Sequence, residues 1–315
     1  MPIVFFGTPV FAVPSLKALH ESGEQICAVV TRRDAPSGRG KKEVLKAPPV
    51  KEAAIQYGLR VLQPASLKDI EFINELKNCS PEFLVVAAYG RILTEEILSI
   101  PGIAPVNVHA SLLPQLRGAS PIARAIISGA KETGVTTMLM EKGLDTGDIL
   151  LMEKTEIRGE DDTKSLSERL AQIGASLLLK TLKGMREGTL KPRPQEGLAS
   201  YAPPLKKEEG LINWAQTAVE LFNFVRGMSP WPGAYFFLDG ERIKIIKVET
   251  AYGSGAPGSV VKARGELLAG TGEGLLSLLI VQPEGKKPMS AQAFLQGRKL
   301  KEKDVLNGAA REIKK

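Results

Sequence analysis

Six short apolar runs alternate with stretches of helical periodicity through the first 140 residues, and this alternation leaves few architectures open. The runs are IVFF (3–6), ICAVVT (26–31), RVLQ (60–63), FLVVAA (83–88), APVNVH (104–109) and TGVTTMLM (133–140). Most are rich in Val and Ile with few polar interruptions, as in strands buried on both faces. Helices are expected near 12–22, 48–58, 67–78, 94–98 and 119–129. Parallel strands need a crossover between them, so the pattern predicts a doubly wound, mostly parallel sheet, an α/β domain of Rossmann-like type. Leu166, Leu170, Ile173 and Leu177 recur at helical spacing, which makes 163–187 an amphipathic helix closing that domain.

Beyond it the texture changes. EGTLKPRPQEGLASYAPPLKKEEG (187–210) is dense in Pro, Gly and charge, the composition of an interdomain linker. A short helix at 214–226 is followed by strand-like runs in FFLDGERIKIIKVET, PGSVVKAR, ELLAGTG and GLLSLLIVQPEG, parted by Gly-containing turns. Short strands so spaced predict a small, OB-like β-barrel. At 315 residues the chain is long for one core. The expected boundaries are 1–188 for the α/β domain, 189–206 for a linker and 207–315 for the barrel.

No apolar run approaches the roughly 20 residues of a membrane span. The opening MPIVFFGTPVFAVPSL has no charge before Lys17, unlike a secretory signal, and reads as a strand and a loop. Cys27 and Cys79 are the only cysteines, too few and too far apart for a disulfide framework or a metal cluster. They are expected to be buried, unpaired thiols in a reducing, cytoplasmic setting, with no metal site. The first strand ends at Gly7 without a GxGxxG fingerprint, which disfavours a dinucleotide.

Positive charge is unevenly spread. Residues 1–188 carry 23 Lys/Arg against 22 Asp/Glu, whereas 189–315 carry 19 against 13. Within the first part, 32–51 alone holds seven basic residues against two acidic ones. A solvated basic surface accounts for either cluster singly. Two of them favour a polyanionic partner, whose phosphates would release counterions on binding.

Ligands of such sheets bind where the strands end. Three segments feed that crevice: AAYGRIL (87–93), NVHASLLP (107–114) and MEKGLDTGD (140–148). Asn107 and His109 are two apart, so on a strand both point to one face, and Asp145 follows the next strand. An imidazole with an amide beside it and a carboxylate behind it suits acyl or formyl transfer. The amide and ring stabilise a tetrahedral oxyanion, and the carboxylate orients the ring. No Ser or Cys stands in a nucleophile motif, so direct attack by a substrate nucleophile is preferred to a covalent intermediate. Each residue also has a structural reading. His109 could be a satisfied structural group, Asn107 could pair with backbone, and Asp145 could close a turn in LDTGD.

The combination of Asn107, His109, Ser111-Leu112-Leu113-Pro114, Arg117-Gly118 and GLDTGD resembles the 10-formyltetrahydrofolate-dependent formyltransferases. FFGTPVFAVPSL, SGRGKK, AAYGRIL, SPWPGA and GKKPMSAQAFL extend the resemblance over nearly the whole chain. It implies that Asn107, His109 and Asp145 are catalytic. It implies that Ser111, Leu112, Leu113 and Pro114 contact the folate, with backbone near Arg91, Leu93, Glu141 and Gly143 against the pterin. The co-substrate is then 10-formyltetrahydrofolate, and the SGRGKK loop and basic C-terminal part narrow the acceptor to initiator methionyl-tRNA. Arg39, Lys41 and Lys42 would approach the acceptor stem, and Arg242, Lys244 and Lys247 its phosphates. Lys262, Arg264, Lys286 and Lys287 are further candidates. One copy of the chain is compatible with all of this. The rival readings are a small amine acceptor on the same scaffold, hydrolysis of the formyl-folate, and a binding protein without turnover.

Overall fold

The computed structural model describes residues 2–37, 44–298 and 300–306. Two compact units divide the chain. The first is drawn from Met1–Pro121, Glu132–Glu156 and Ser167–Pro203, the second from Ile122–Lys131, Ile157–Leu166 and Pro204–Lys315.

The first unit follows the predicted alternation. β1 (Pro2–Gly7) leads to α1 (Val13–Glu21), which takes Pro14 in its first turn, where a missing N–H costs nothing. β2 (Gln25–Val30) is followed by a two-stranded ribbon of β3 (Ala35–Ser37) and β4 (Val44–Lys46). Then come α2 (Pro49–Gln56), β5 (Val61–Leu62) and α3 (Ile70–Asn78), the last capped by the Asp69 side chain accepting from the Glu71 N–H. β6 (Phe83–Ala87), α4 (Glu95–Leu98), β7 (Ala104–His109), β8 (Glu132–Leu139), β9 (Ile149–Glu156) and α6 (Thr163–Arg186) from Ser167 onward complete the series, while α5 (Pro121–Ile127), between β7 and β8 in sequence, belongs from Ile122 to the second unit.

The sheet order is β5-β2-β1-β6-β7-β8-β9. The ladders from β5 to β7 are parallel, and β8 runs antiparallel to both β7 and β9. β9 carries no clear sequence signal because ILLMEKTE is apolar only at its start. As the edge strand it exposes alternate polar residues, which also guards the edge against pairing with another chain. On one face Val4, Phe6, Ala28, Val30, Leu84 and Val86 share a core cluster with Phe72, Ile73 and Leu76 of α3.

One expectation fails here. Cys27 of β2 and Cys79, at the C-terminal cap of α3, form a disulfide with Cα atoms 6.0 Å apart, and each is only partly buried. The crossover from β5 to β6 carries α3 across β2, which brings together two residues 52 positions apart. Cys27 sits in an apolar strand and Cys79 in the polar run KNCSPE after a helix, so nothing in the spacing announces the contact.

Gly134 in β8 has no room for a side chain: a Cβ there would overlap the carbonyl oxygen of Glu153 in β9 and crowd Leu112. The carbonyl belongs to the sheet ladder and cannot give way cheaply. Gly134→Ala should therefore cost about 1–3 kcal/mol and lower the melting temperature by several degrees, read by thermal unfolding. An unchanged Tm would contradict this packing.

The second unit opens its main body with α7 (Ala218–Met228), started by a capping box between Thr217 and Glu220. An antiparallel sheet follows: β10 (Ala234–Leu238), β11 (Glu241–Ala251), β12 (Val260–Lys262), β13 (Leu267–Gly270), β14 (Leu275–Pro283) and β15 (Met289–Ser290), then α8 (Ala291–Gln296). Asp239 and Gly240 both have positive φ, the requirement of the tight hairpin turn that joins β10 to β11. The order is β10-β11-β14-β13-β12 with β15 on β14, so the expected barrel is a curled half-barrel whose edges are not joined by a ladder among the described residues. Phe236, Ile243, Ile245, Leu278 and Val281 point inward to Leu221 and Val225 of α7. Ala291 and Phe294 of α8 join the same core.

The stretch 189–206 does not behave as a free connector along its length. Arg193 and Ile149 exchange two backbone hydrogen bonds, and Tyr201 bridges Arg117. The division between the units falls at Pro203/Pro204, inside this stretch. No helix among the described residues is long and apolar enough to cross a membrane.

Candidate functional site

β7 lies between β6 and β8, with Asn107 opposite Val86 and Met138, and His109 opposite Thr136. This central position buries both polar side chains, leaving Asn107 9% and His109 6% exposed. Buried polar heads are costly unless paired, so their partners define the site. His109 Nε2 lies 3.1 Å from the Leu116 carbonyl oxygen. A carbonyl only accepts, so the network assigns the proton to Nε2 and leaves Nδ1 facing Asp145. The Nδ1 to Asp145 Oδ2 distance is 3.7 Å, an ion-pair separation too long for a hydrogen bond.

Asp145 reaches the pair by an unexpected route. Because β8 is reversed, its following loop leaves the sheet at Met140, whose N–H donates to Pro105, near the start of β7 rather than its end. The loop then folds back over the face bearing the two side chains. Asn107 Nδ2 donates to Asp145 Oδ1 at 3.4 Å, and the Gly118 N–H donates to Oδ2 at 2.8 Å. The structure thus brings Asn107, His109 and Asp145 together, though not through the parallel strand ends that the sequence pattern suggested.

Backbone strain collects around them. Ala88 after β6, Leu116 after β7 and Asp145 after β8 have φ of 46°, 57° and 53°, in the left-handed region that costs a non-glycine residue energy. Such residues persist only where surrounding bonds over-determine them, and they gather at sites that hold groups in place. Gly118 explains the RG of the signature in the same terms. Its φ is 114°, and a Cβ would press on the Ala202 carbonyl oxygen at 2.9 Å.

The other sequence candidates divide into two sets. Ser111 is buried, its hydroxyl donating to the Gln115 carbonyl, and the Leu113 N–H donates to the Thr136 hydroxyl. With Leu112 and Pro114 these residues form the loop that continues β7 directly away from His109. Arg91 is committed to the carbonyls of Pro64 and Ala65, and the Leu93 side chain is 5% exposed in the core. In the loop after β8, Glu141 accepts from the Thr146 hydroxyl, and a Cβ on Gly143 would collide with that same hydroxyl. Arg91, Leu93, Glu141 and Gly143 therefore have backbone rather than side chain free for a ligand.

On β11, Ile243, Ile245 and Val248 are buried, so strict alternation would turn Lys247 inward. The register shifts around Lys247 are a bulge, which resets the parity and leaves Lys247 exposed on the outer side with Arg242 and Lys244. The three are not equivalent. Arg242 stacks on Tyr235 at 3.8 Å, and Lys244 Nζ donates to the Pro230 carbonyl. Burial, and then the charge of Arg242, holds the Lys244 ammonium below its usual pKa. Lys262 is paired with Glu266. Arg39, Lys41 and Lys42 lie outside the described residues.

Sequence reasoning missed the frame around the trio. Thr136, opposite His109, accepts from the Leu113 N–H and donates to the Ser111 carbonyl. Gln195, Ser200 and Ala202 bind the loops from a stretch that composition marks as a linker. The available signal was weak: one glutamine and one serine among prolines.

Comparison with known proteins shows the family. The family model described as formyl transferase matches residues 1–182, and that for the formyl transferase C-terminal domain matches residues 204–299. The methionyl-tRNA formyltransferase of Thermodesulfovibrio yellowstonii is 54% identical over 300 residues, 95% of this chain and 97% of that one. Among solved structures, an N-formyltransferase from Helicobacter canadensis, in complex with folinic acid and dTDP-3-aminofucose, superposes with a TM-score of 0.66. It is 20% identical and is matched over 88% of this chain and 98% of its own. HypX from Aquifex aeolicus, in complex with tetrahydrofolic acid, gives a TM-score of 0.63 at 17% identity over 93% of this chain. The chain spans about half of HypX, 46% of its length, and at these identities both structures show the fold alone.

Proposed function

Since the chain belongs to the methionyl-tRNA formyltransferase family, we propose that it moves the formyl group of 10-formyltetrahydrofolate onto the α-amine of methionine on initiator methionyl-tRNA. The observation that carries this reading is the convergence of Asn107, His109 and Asp145, with the first two buried and Asp145 partly exposed. No metal enters the scheme.

The amine lone pair attacks the formyl carbon, the new C–N bond forms, and the carbonyl electron pair moves onto oxygen. Asn107 donates its second Nδ2–H to that oxyanion, and His109 donates its Nε2–H there in place of the Leu116 carbonyl, because the oxyanion's charge is greater in the transition state than in the substrate. Asp145 takes the proton released by the amine and returns one toward N10 as the C–N10 bond breaks, leaving tetrahydrofolate. The Ser111–Pro114 loop and the backbone at Arg91–Leu93 and Glu141–Gly143 supply the folate contacts. All the groups this chemistry needs lie in one chain, so we take the monomer as the working unit, acting in the cytoplasm.

The tRNA reading rests on charge. The outer side of β11 offers Arg242, Lys244 and Lys247, and the early basic segment adds Arg39, Lys41 and Lys42. Because Lys244 is already committed to a carbonyl, Lys247→Ala should weaken tRNA more than Lys244→Ala. It should also reduce the slope of log affinity against log salt by about one. A binding series over salt concentration reads this, and an unchanged slope would remove Lys247 from the interface.

The activity itself is tested with an acceptor panel under 10-formyltetrahydrofolate: methionyl initiator tRNA, the same tRNA uncharged, and glycinamide ribonucleotide. Formylation of the first alone is expected. Equal use of the small amine would assign the site to another acceptor.

A further inference from the structure

We propose that Gln195 is a positioning residue for formyl transfer, acting through the loop that carries Asp145. The inference rests on the role given to Asp145 above. Gln195 comes from the proline-rich stretch after α6, and its primary amide is fully used. Nε2 donates to the carbonyl oxygens of Asp145 and Gly147, both at 2.8 Å. Oε1 accepts from Arg117 Nε at 3.1 Å and from Arg117 Nη2 at 2.6 Å. The orientation is unambiguous, since a guanidinium only donates and carbonyls only accept.

This one side chain therefore ties the loop after β8 to the loop after β7. Both loops hold a non-glycine residue at positive φ, Asp145 and Leu116. The Gly118 N–H holds the Asp145 carboxylate, but its backbone carbonyl is held by Gln195. Without the amide, the strained peptide at Asp145 loses the bond that compensates its conformation, and the carboxylate can drift from His109. The neighbouring bonds of the same stretch act on the other loop: the Ser200 N–H donates to the Pro114 carbonyl, and the Ser200 hydroxyl accepts from the Leu116 N–H. Gln195 reaches both loops with its side chain. It lies only partly buried at the surface, so its loss leaves no apolar cavity.

The test is a double-mutant cycle read by steady-state formyl transfer, with thermal unfolding of every variant. Gln195→Ala should lower kcat by about tenfold to a hundredfold, the scale of a misplaced group, with the KM for 10-formyltetrahydrofolate little changed. Gln195→Glu keeps the acceptor for Arg117 but sets an oxygen against two carbonyls, so it should lose as much activity as Gln195→Ala. In an Asp145→Asn background, Gln195→Ala should cost less than about a further twofold. Independent, multiplying losses would overturn the proposal, as would full activity in Gln195→Glu or a loss seen only in KM or Tm. Near-normal turnover in Asp145→Asn alone would instead overturn the underlying role of Asp145, so the two failures are separable.

Discussion

His109→Ala is expected to lower kcat for formyl transfer by about 10³-fold, with folate and tRNA affinities nearly unchanged. Groups that donate to a developing oxyanion or relay its proton contribute on this scale. The ring is 6% exposed and sits at the end of β7, framed by the Leu116 carbonyl on one side and Asp145 on the other. Losing it leaves the Leu116 carbonyl without that donor, a stability cost of about 1 kcal/mol, too little to unfold a domain of this size. The check is steady-state kinetics together with direct binding of each substrate. Near-normal turnover would make His109 a structural group after all.

Asp145→Asn is expected to lower kcat by about 10²-fold or more while the protein folds as before. Asparagine is the informative replacement. It tolerates the left-handed φ of 53° at this position, whereas alanine would add strain of about 1–2 kcal/mol. Its side-chain oxygen can still accept from the Gly118 N–H, so the loop stays anchored. What disappears is the negative charge beside His109, the base that takes the amine proton and the oxygen that accepts from Asn107 Nδ2. An Asp145→Asn enzyme with wild-type kcat would show that geometry, not charge, is what this loop supplies.

The legibility of this protein from sequence varied with how local each signal was. β1, β2, β6 and β7 were plain because their residues are apolar on both faces, and β9 was hidden because its exposed side is charged. The reversal of β8 leaves no mark in TGVTTMLM, since this strand is buried on both faces just as its parallel neighbours are. Asn107 and His109 were legible as a pair through their two-residue spacing. Their approach to Asp145 depends on a loop folding back, and the frame of Gln195, Ser200 and Ala202 on a long-range return of the chain. Long-range contact also explains the Cys27–Cys79 bond, where two isolated cysteines meet only because α3 crosses β2. Lys247 shows the converse: alternation read naively buries it, and only the bulge in β11 turns it outward.

The most direct test of the central claim is the stoichiometry of a single turnover with 10-formyltetrahydrofolate and methionyl initiator tRNA. The account predicts one formylmethionyl-tRNA for each tetrahydrofolate formed, and no tetrahydrofolate when the tRNA is omitted. Tetrahydrofolate appearing with free formate, at the same rate with or without tRNA, would contradict it and make water the acceptor.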